Sequence, residues 1–394
     1  MRKVLIPRDT QLNMVGPATE KTGYGIHFIN LAKALNKEVS VSMTPRSRLD
    51  PDLSNDQEIR EMTNTPFNYA APTICIWFAD AMQLFAGSYR IGFPVFESNI
   101  LTREQMYHLC NLDAIYVTSC WAWDVIEDSA VKFGIRKPSL PRIEVMCEGY
   151  DPGVFQRRDI QENYLTLGWR RPYIQNVGKW EERKGHPQII RVLGEVADEG
   201  YEFTFIGLWN NNFNPSWREH ANHHLTMNGF YQTKPGVYAK GECLIILPES
   251  MKTSYDVANF MSMCDFGLYP HKAEGWCLPI LESMGCGCPI IATNYSGPTE
   301  YLSPECGILL EPEGFEDIHD DIFFRNANGQ WAKVSDKQVK AAVIQMLDSV
   351  GHESIHELGD NAERQAAKFT WSDSADLILT DLKAEGLIKG ETDR

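Results

Sequence analysis

YPHKAEGWCLPILE (269–282) places two glutamates, Glu274 and Glu282, eight positions apart across a small-residue turn and an apolar helix start. Gly275 follows the first glutamate, and Leu278-Pro279-Ile280-Leu281 leads into the second. A proline in the first helical turn is tolerated because its missing N–H would have no intrahelical partner. The free N–H groups and positive dipole end at 275–278 would face an anion or a hydroxyl. Glu282, about two turns on, can accept hydrogen bonds from a diol such as a ribose. The following GCGCPIIATNYSGPTEYL (285–302) reads as helix end, buried strand, polar loop and new helix start. This pattern suits the holding of a sugar nucleotide.

A second motif stands upstream. In NVGKWEERKGHPQII (176–190), Lys179 ends a strand and Lys184-Gly185 opens the next helix. Two cations at a strand end and a helix N-terminus form a natural diphosphate clamp. Together the two stretches resemble the signature of the retaining GT-B glycosyltransferases, the large group 1 family with its E-x7-E motif and a G-[RK]-x(4)-K-G pattern after a strand. The resemblance implies that Glu274 contacts the donor sugar and Glu282 the nucleotide ribose. It implies that Lys179 and Lys184 neutralise the leaving diphosphate, and that the backbone of Gly275, Trp276, Cys277 and Leu278 caps diphosphate and sugar oxygens. The family usually reads E-G-[FW]-G-L-P, and here Cys277 stands at the second glycine. A side chain in that turn narrows the donor space or changes the backbone path.

Bulk properties bound the rest. The chain has 394 residues, 43% of them hydrophobic and 23% charged. It is long enough for two domains with separate cores. It lacks a run of about 18 apolar residues, so no membrane span is expected. The start, MRKVLIPRDTQ, holds too short an apolar run for a signal peptide. Ten cysteines without a C-x-x-C pair read as reduced, mostly buried thiols of a cytoplasmic protein. The net charge of −16 falls mainly in 171–394, which argues against general nucleic-acid binding. The near-neutral first part keeps local basic residues, Arg46, Arg48, Lys132, Arg136 and Lys137.

Alternating patterns predict a parallel α/β architecture. A strand at 3–7 is followed by a Gly-, Pro- and Thr-rich loop and the helix TGYGIHFINLAKALNK (22–37), with Phe28, Leu31, Ala32 and Leu35 at helical spacing. Further strands are expected at 38–43, 73–78, 92–96, 114–118 and 143–147, with a helix at 121–133. The stretch 151–172 reads as a linker, after which strand–helix alternation restarts. The expected plan is GT-B: two Rossmann-like parallel-sheet domains facing a central cleft. An acceptor-side domain would cover 1–165, a nucleotide-sugar domain 166–370, and a C-terminal helix at 371–394 would cross back to the first. The segment 208–241 breaks the rhythm and reads as a long loop, a lid or an oligomer contact. His220, His223 and His224 within it lack a completing ligand set for a metal.

The first domain offers weaker signals. The turn Gly23-Tyr24-Gly25 permits close backbone approach to a phosphate or an acceptor. In PVFESN (94–99), Glu97 stands where many family members carry a histidine facing the reacting sugar. It could orient or deprotonate the acceptor hydroxyl, or cap the turn. Ser119, at a strand end, could meet donor or acceptor. Glu148 replaces a common asparagine in a hinge segment.

The resemblance therefore implies transfer of a sugar from a nucleotide-diphosphate sugar, such as a UDP-sugar, to an acceptor hydroxyl, with retention, no metal and no other cofactor. Glu274, Lys184, Lys179 and Glu97 are the candidate catalytic residues. A saccharide or other soluble hydroxyl compound is the expected acceptor, and a hydroxymethylated base in viral DNA is the alternative. A sugar-nucleotide epimerase, a phosphorylase or a non-catalytic partner of a glycosylation complex are the remaining readings.

Overall fold

The computed structural model describes residues 11–46, 48–159, 169–249, 251, 253–319, 324 and 329–388. The chain divides into two compact units. Unit 1 comprises 1–149, 326–329 and 369–394; unit 2 comprises 150–325 and 330–368.

Unit 1 holds an all-parallel sheet of six strands: β1 (Leu12–Gly16), β2 (Val41–Pro45), β3 (Thr73–Ile76), β4 (Arg90–Phe93), β5 (Ala114–Val117) and β6 (Arg142–Val145). Their order is β2-β1-β3-β4-β5-β6. Its helices are α1 (Gly23–Asn36), α2 (Gln57–Asn64), α3 (Arg103–Leu109) and α4 (Cys120–Lys132). The α1 helix starts at Thr22, whose hydroxyl accepts the Gly25 N–H, and it buries Phe28, Leu31, Ala32 and Leu35. These are the four residues that the helical spacing assigned to its inner face.

Two expectations shift here. The strand expected at 3–7 lies outside the described residues, and the first described strand is 12–16, within what reads as loop. Asn13 interrupts that strand's apolar run, yet it is fully buried. Its amide donates to Asn68 O (2.8 Å) and Thr73 Oγ1 (3.1 Å), and its carbonyl oxygen accepts the Asn68 N–H (3.0 Å). The strand expected at 38–43 begins at Val41, because the chain after α1 is still turning at 37–39.

Unit 2 holds eight strands: β7 (Tyr173–Lys179), β8 (Thr204–Asn210), β9 (Tyr231–Lys234), β10 (Val237–Lys240), β11 (Cys243–Ile246), β12 (Phe266–Tyr269), β13 (Ile290–Thr293) and β14 (Gly307–Leu310). The order is β14-β13-β12-β7-β8-β11-β10-β9, parallel except for the antiparallel edge strands β10 and β9. A hairpin, β15 (Gly314–Asp317) and β16 (Gln330–Lys333), stands apart. The helices are α5 (His186–Asp198), α6 (Trp217–Met227), α7 (Ser254–Met263), α8 (Leu278–Gly285), α9 (Asp336–Ser349) and α10 (Glu353–Ala366). The final helix, α11 (Trp371–Ala384), belongs to unit 1 and packs on α1. The segment 208–241 is thus ordered structure rather than a long loop: the end of β8, then α6 and the β9–β10 hairpin, which widens the sheet. Among the described residues no helix is long and apolar enough to cross a membrane.

Candidate functional site

In unit 2, consecutive strands β7, β8 and β11 step one way across the sheet, and β12 then returns to the other side of β7. Ligands of open α/β sheets bind outside the carboxyl ends of the strands at such a switch point. The loops flanking it are 180–185, after β7, and 270–277, after β12. These are the two sequence motifs.

Their side chains form one linked ion network. Lys184 Nζ lies 2.6 Å from Glu274 Oε1, and Arg183 reaches Glu274 Oε2 at 2.8 Å. Arg183 also holds Glu181 (2.9 Å) and donates to the Ala273 carbonyl (2.7 Å), while Lys179 closes on Glu181 at 2.6 Å. Three cations thus surround two carboxylates, an excess of positive charge. Glu274, Glu181 and Arg183 are buried. Burial alone would push the Glu274 carboxyl up, but Arg183 and Lys184 outweigh it and hold the carboxyl well below the usual range. Burial likewise disfavours charge on Lys184, and Glu274 more than compensates, so its pKa is raised.

The backbone around Glu274 is pinned. Its N–H donates to Ser296 Oγ (2.8 Å), and its carbonyl accepts the Gly297 N–H (2.9 Å). Tyr301 OH donates to the carbonyls of Trp276 (2.7 Å) and Cys277 (3.0 Å). Two non-glycine residues here have positive φ, Cys277 (70°) and Ser296 (63°). Such backbone costs about 1–3 kcal/mol per residue and collects at functional sites. Cys277 therefore holds a left-handed conformation that a glycine would adopt without strain, and it adds a side chain to the turn. Burial, reinforced by Glu274, pushes its thiol up to about 12, so it stays neutral at physiological pH. Cys277 and Gly185 (φ 72°) are the N-caps of α8 and α5, and no side chain caps either helix.

Residues 159–324 match the family described as glycosyl transferases group 1. That stretch contains both motifs and the whole ion network. The matched stretch is less than half of the chain. Among curated relatives, an uncharacterized glycosyltransferase of Methanocaldococcus jannaschii is 26% identical over 122 residues, 30% of this chain and 28% of that protein. The O-antigen chain mannosyltransferase B of Escherichia coli is 29% identical over 68 residues, 17% of this chain and 18% of that protein. The matches to these two relatives thus span less than a third of either one's length. Solved structures extend the likeness to the fold. Anabaena HepE, in complex with UDP and glucose, aligns at a TM-score of 0.67 with 13% identity, over 95% of this chain and all of that one. Sucrose-phosphate synthase from Thermosynechococcus elongatus aligns at 0.66 with 14% identity, over 95% and 98%. Trehalose-phosphate synthase from Burkholderia vietnamiensis aligns at 0.66 with 11% identity, over 96% and 99%. The fold is GT-B.

Within the matched stretch Glu282 differs sharply from Glu274. It lies on α8, partly exposed, and no described residue gives its carboxyl a hydrogen bond or an ion pair. Burial alone raises the carboxyl to about 8. Phe213, from the segment after β8, presents its ring 5.2 Å from Lys179 Nζ. Its N–H is held by Asn211 Oδ1 (2.9 Å), and the buried Asn211 donates to Trp180 O (2.8 Å).

The remaining candidates lie in unit 1. Gly23 and Tyr24 open α1, and Tyr24 OH donates to the Val95 carbonyl. Gly25 is fixed by packing, since a Cβ there would fall 1.7 Å from the Thr19 carbonyl oxygen. Glu97 follows β4, half-buried, two residues beyond Val95. Ser119 is fully buried and caps α4 by accepting the Ala122 N–H (3.1 Å), so its role is structural. Glu148 is buried against His27 Nδ1 at 3.2 Å. The basic residues divide. Arg46 and Arg48 follow the carboxyl end of β2, whereas Lys132 ends α4, which runs back about 20 Å toward the amino ends of the strands, and Arg136 and Lys137 follow it.

Sequence reasoning missed Arg183 and Glu181, which sit among the four unspecified positions of the lysine motif. The only available signal was charge: a buried glutamate between two lysine-bearing turns needs its compensation completed.

Proposed function

We propose that the chain transfers a glycosyl group from a nucleotide-diphosphate sugar, of the UDP-sugar class, to an acceptor hydroxyl with retention and without a metal. The observation that carries this reading is the Lys179–Glu181–Arg183–Glu274–Lys184 network at the unit 2 switch point, beside two helix N-termini that no side chain caps. Its excess positive charge and the helix ends suit a diphosphate, the group that gathers charge as the glycosidic bond breaks. In this reading Lys184 and Lys179 stabilise the departing diphosphate, and Glu274, held ionised and fixed, orients the donor sugar through its hydroxyls. Glu282 accepts hydrogen bonds from the ribose. Side-chain cations do the work that a divalent ion does in other transferases. HepE, which shares the fold, is described in complex with UDP and glucose, which supports the donor class. The acceptor is a saccharide or another soluble hydroxyl compound. The separation of Arg46 and Arg48 from Lys132, Arg136 and Lys137 gives no support to a DNA acceptor.

Two substitutions test this. Glu282→Ala weakens donor binding about tenfold, the loss of a hydrogen bond or two to the ribose. Lys184→Ala lowers kcat about a hundredfold, as removal of a charge-stabilising group does. Isothermal titration with UDP-sugars and a coupled assay for released UDP read the two effects. Unchanged binding and turnover in both variants would sink the assignment.

A further inference from the structure

The sheet of unit 1 has its own switch point, between β1 and β3, because β2 lies on one side of β1 and β3 to β6 extend from the other. The crevice rule applies there equally. The loop after β1 leads into Gly23-Tyr24-Gly25, and the loop after β3 carries Trp77 and Phe78. The two loops touch. The Tyr24 and Phe78 rings lie 4.7 Å apart at 53°, and Trp77 meets Phe78 at 5.6 Å and 77°. Arg46, just past the end of β2, stacks its guanidinium 4.7 Å over Trp77. It also donates from Nη1 to Ala81 O (3.2 Å) and from its backbone to Gly16 O (2.8 Å). The Tyr24 hydroxyl is anchored on Val95 O. Phe78 is nevertheless 50% exposed. What sets Phe78 apart from a singly exposed apolar side chain is that Tyr24 and Trp77 pack on it and fix an exposed aromatic face at the carboxyl end of the sheet.

We propose that Tyr24, Trp77 and Phe78, with Arg46, form a saccharide-binding shelf that holds the sugar ring of the acceptor, an inference that rests on the transfer reading above. A pyranose offers a C–H face that packs on an aromatic ring and a rim of hydroxyls for polar neighbours. Arg46 supplies a polar edge to the shelf, and Glu97 follows Val95 by two residues. The rings meet at 53° and 77°, so they make a corner rather than the parallel slot that grips a planar base on both faces. Lys132, Arg136 and Lys137 lie toward the amino ends of the strands, apart from Arg46 and Arg48, which splits the charge that a polyanion would follow along its backbone.

The test uses the full chain and the sugar nucleotide whose hydrolysis to UDP it catalyses. Methyl α-glucoside, maltose and cellobiose serve as saccharide probes, beside a single-stranded oligonucleotide carrying 5-hydroxymethylcytosine. At least one saccharide accepts the sugar. Phe78→Ala and Trp77→Ala each raise its KM about tenfold against a donor KM shift of under twofold, and Phe78→Tyr restores it to within about threefold. An unaltered saccharide KM in both alanine variants overturns the shelf, as does transfer to the oligonucleotide and to none of the saccharides. Failure of the transfer reading itself is distinguishable: the unaltered chain would then release no UDP from any donor, with or without acceptor.

Discussion

Glu274 and Glu282 stand eight residues apart and occupy opposite electrostatic environments. Arg183 and Lys184 keep the first ionised against its burial, whereas burial without a described counter-ion raises the second to about 8. The raised carboxyl has a consequence for stability. An unfolded glutamate titrates near 4.5, so between about pH 5 and pH 8 the folded chain holds a proton that the unfolded chain has lost. Stability from this group therefore falls as pH rises through that window. Glu282→Gln removes the effect. Its thermal midpoint, measured against the unaltered protein, should gain steadily from pH 5 to pH 8, and parallel curves would show that the carboxyl is not perturbed. The spacing of the two glutamates and the two lysines was legible in the sequence because chemistry fixes those residue types. Arg183 and Glu181 were not, since any residue can fill the positions between the lysines. Only the fold shows that their side chains turn inward onto Glu274 and Lys179. Cys277 was legible as a departure. What it does to the turn needed the observed φ of 70°.

Elements were readable where one face is apolar, and harder to read where a polar side chain finds its partners at a distance. The α1 and α5 helices follow their periodicity, while β1 hides behind Asn13, which is satisfied by residues some 55–60 positions away. The β9–β10 hairpin hides for a different reason: β9 is exposed along its whole length, so no alternation marks it. The α11 helix shows how an element can be tied by a single carboxylate. Asp381 takes two hydrogen bonds from Arg142 of β6 (2.6 and 2.9 Å) and one from the fully buried Tyr116 of β5 (2.6 Å). Burial pushes its carboxyl up, but Arg142 and Tyr116 prevail and lower it. Its contribution is therefore present above about pH 4 and is lost as pH falls through the lowered value. Asp381→Ala strands the buried Tyr116 hydroxyl and leaves Arg142 with Glu144 alone, and should cost about 2 kcal/mol at pH 7. Urea unfolding reads this, and a loss below about 1 kcal/mol would mean that solvent replaces the carboxylate.

The same device appears in both halves of the molecule: a parallel sheet whose strand order reverses once, with the candidate residues on the loops flanking the reversal. The sequence made the alternation visible but not the strand order, because order depends on which non-local strands pair. The chain is also not a simple tandem. Its last helix follows all of unit 2 in sequence yet belongs to unit 1, where Trp371, Ala375, Ile378, Leu379 and Leu382 are buried and Trp371 stacks near His27 of α1. Burying a large apolar side chain is worth about 1.5–3 kcal/mol. Losing the four large ones removes an amount comparable to the 5–15 kcal/mol that holds a typical domain together. None of these residues contributes to the core of unit 2. A chain ending at residue 368 should therefore lose amide protection in α1 and in β1 to β6. Protection in β7, β8 and β12 should persist. Hydrogen exchange followed by mass spectrometry separates the two sets of peptides. Equal loss in both units would show that the final helix stabilises the whole molecule rather than one sheet, and full retention would show that unit 1 folds without it.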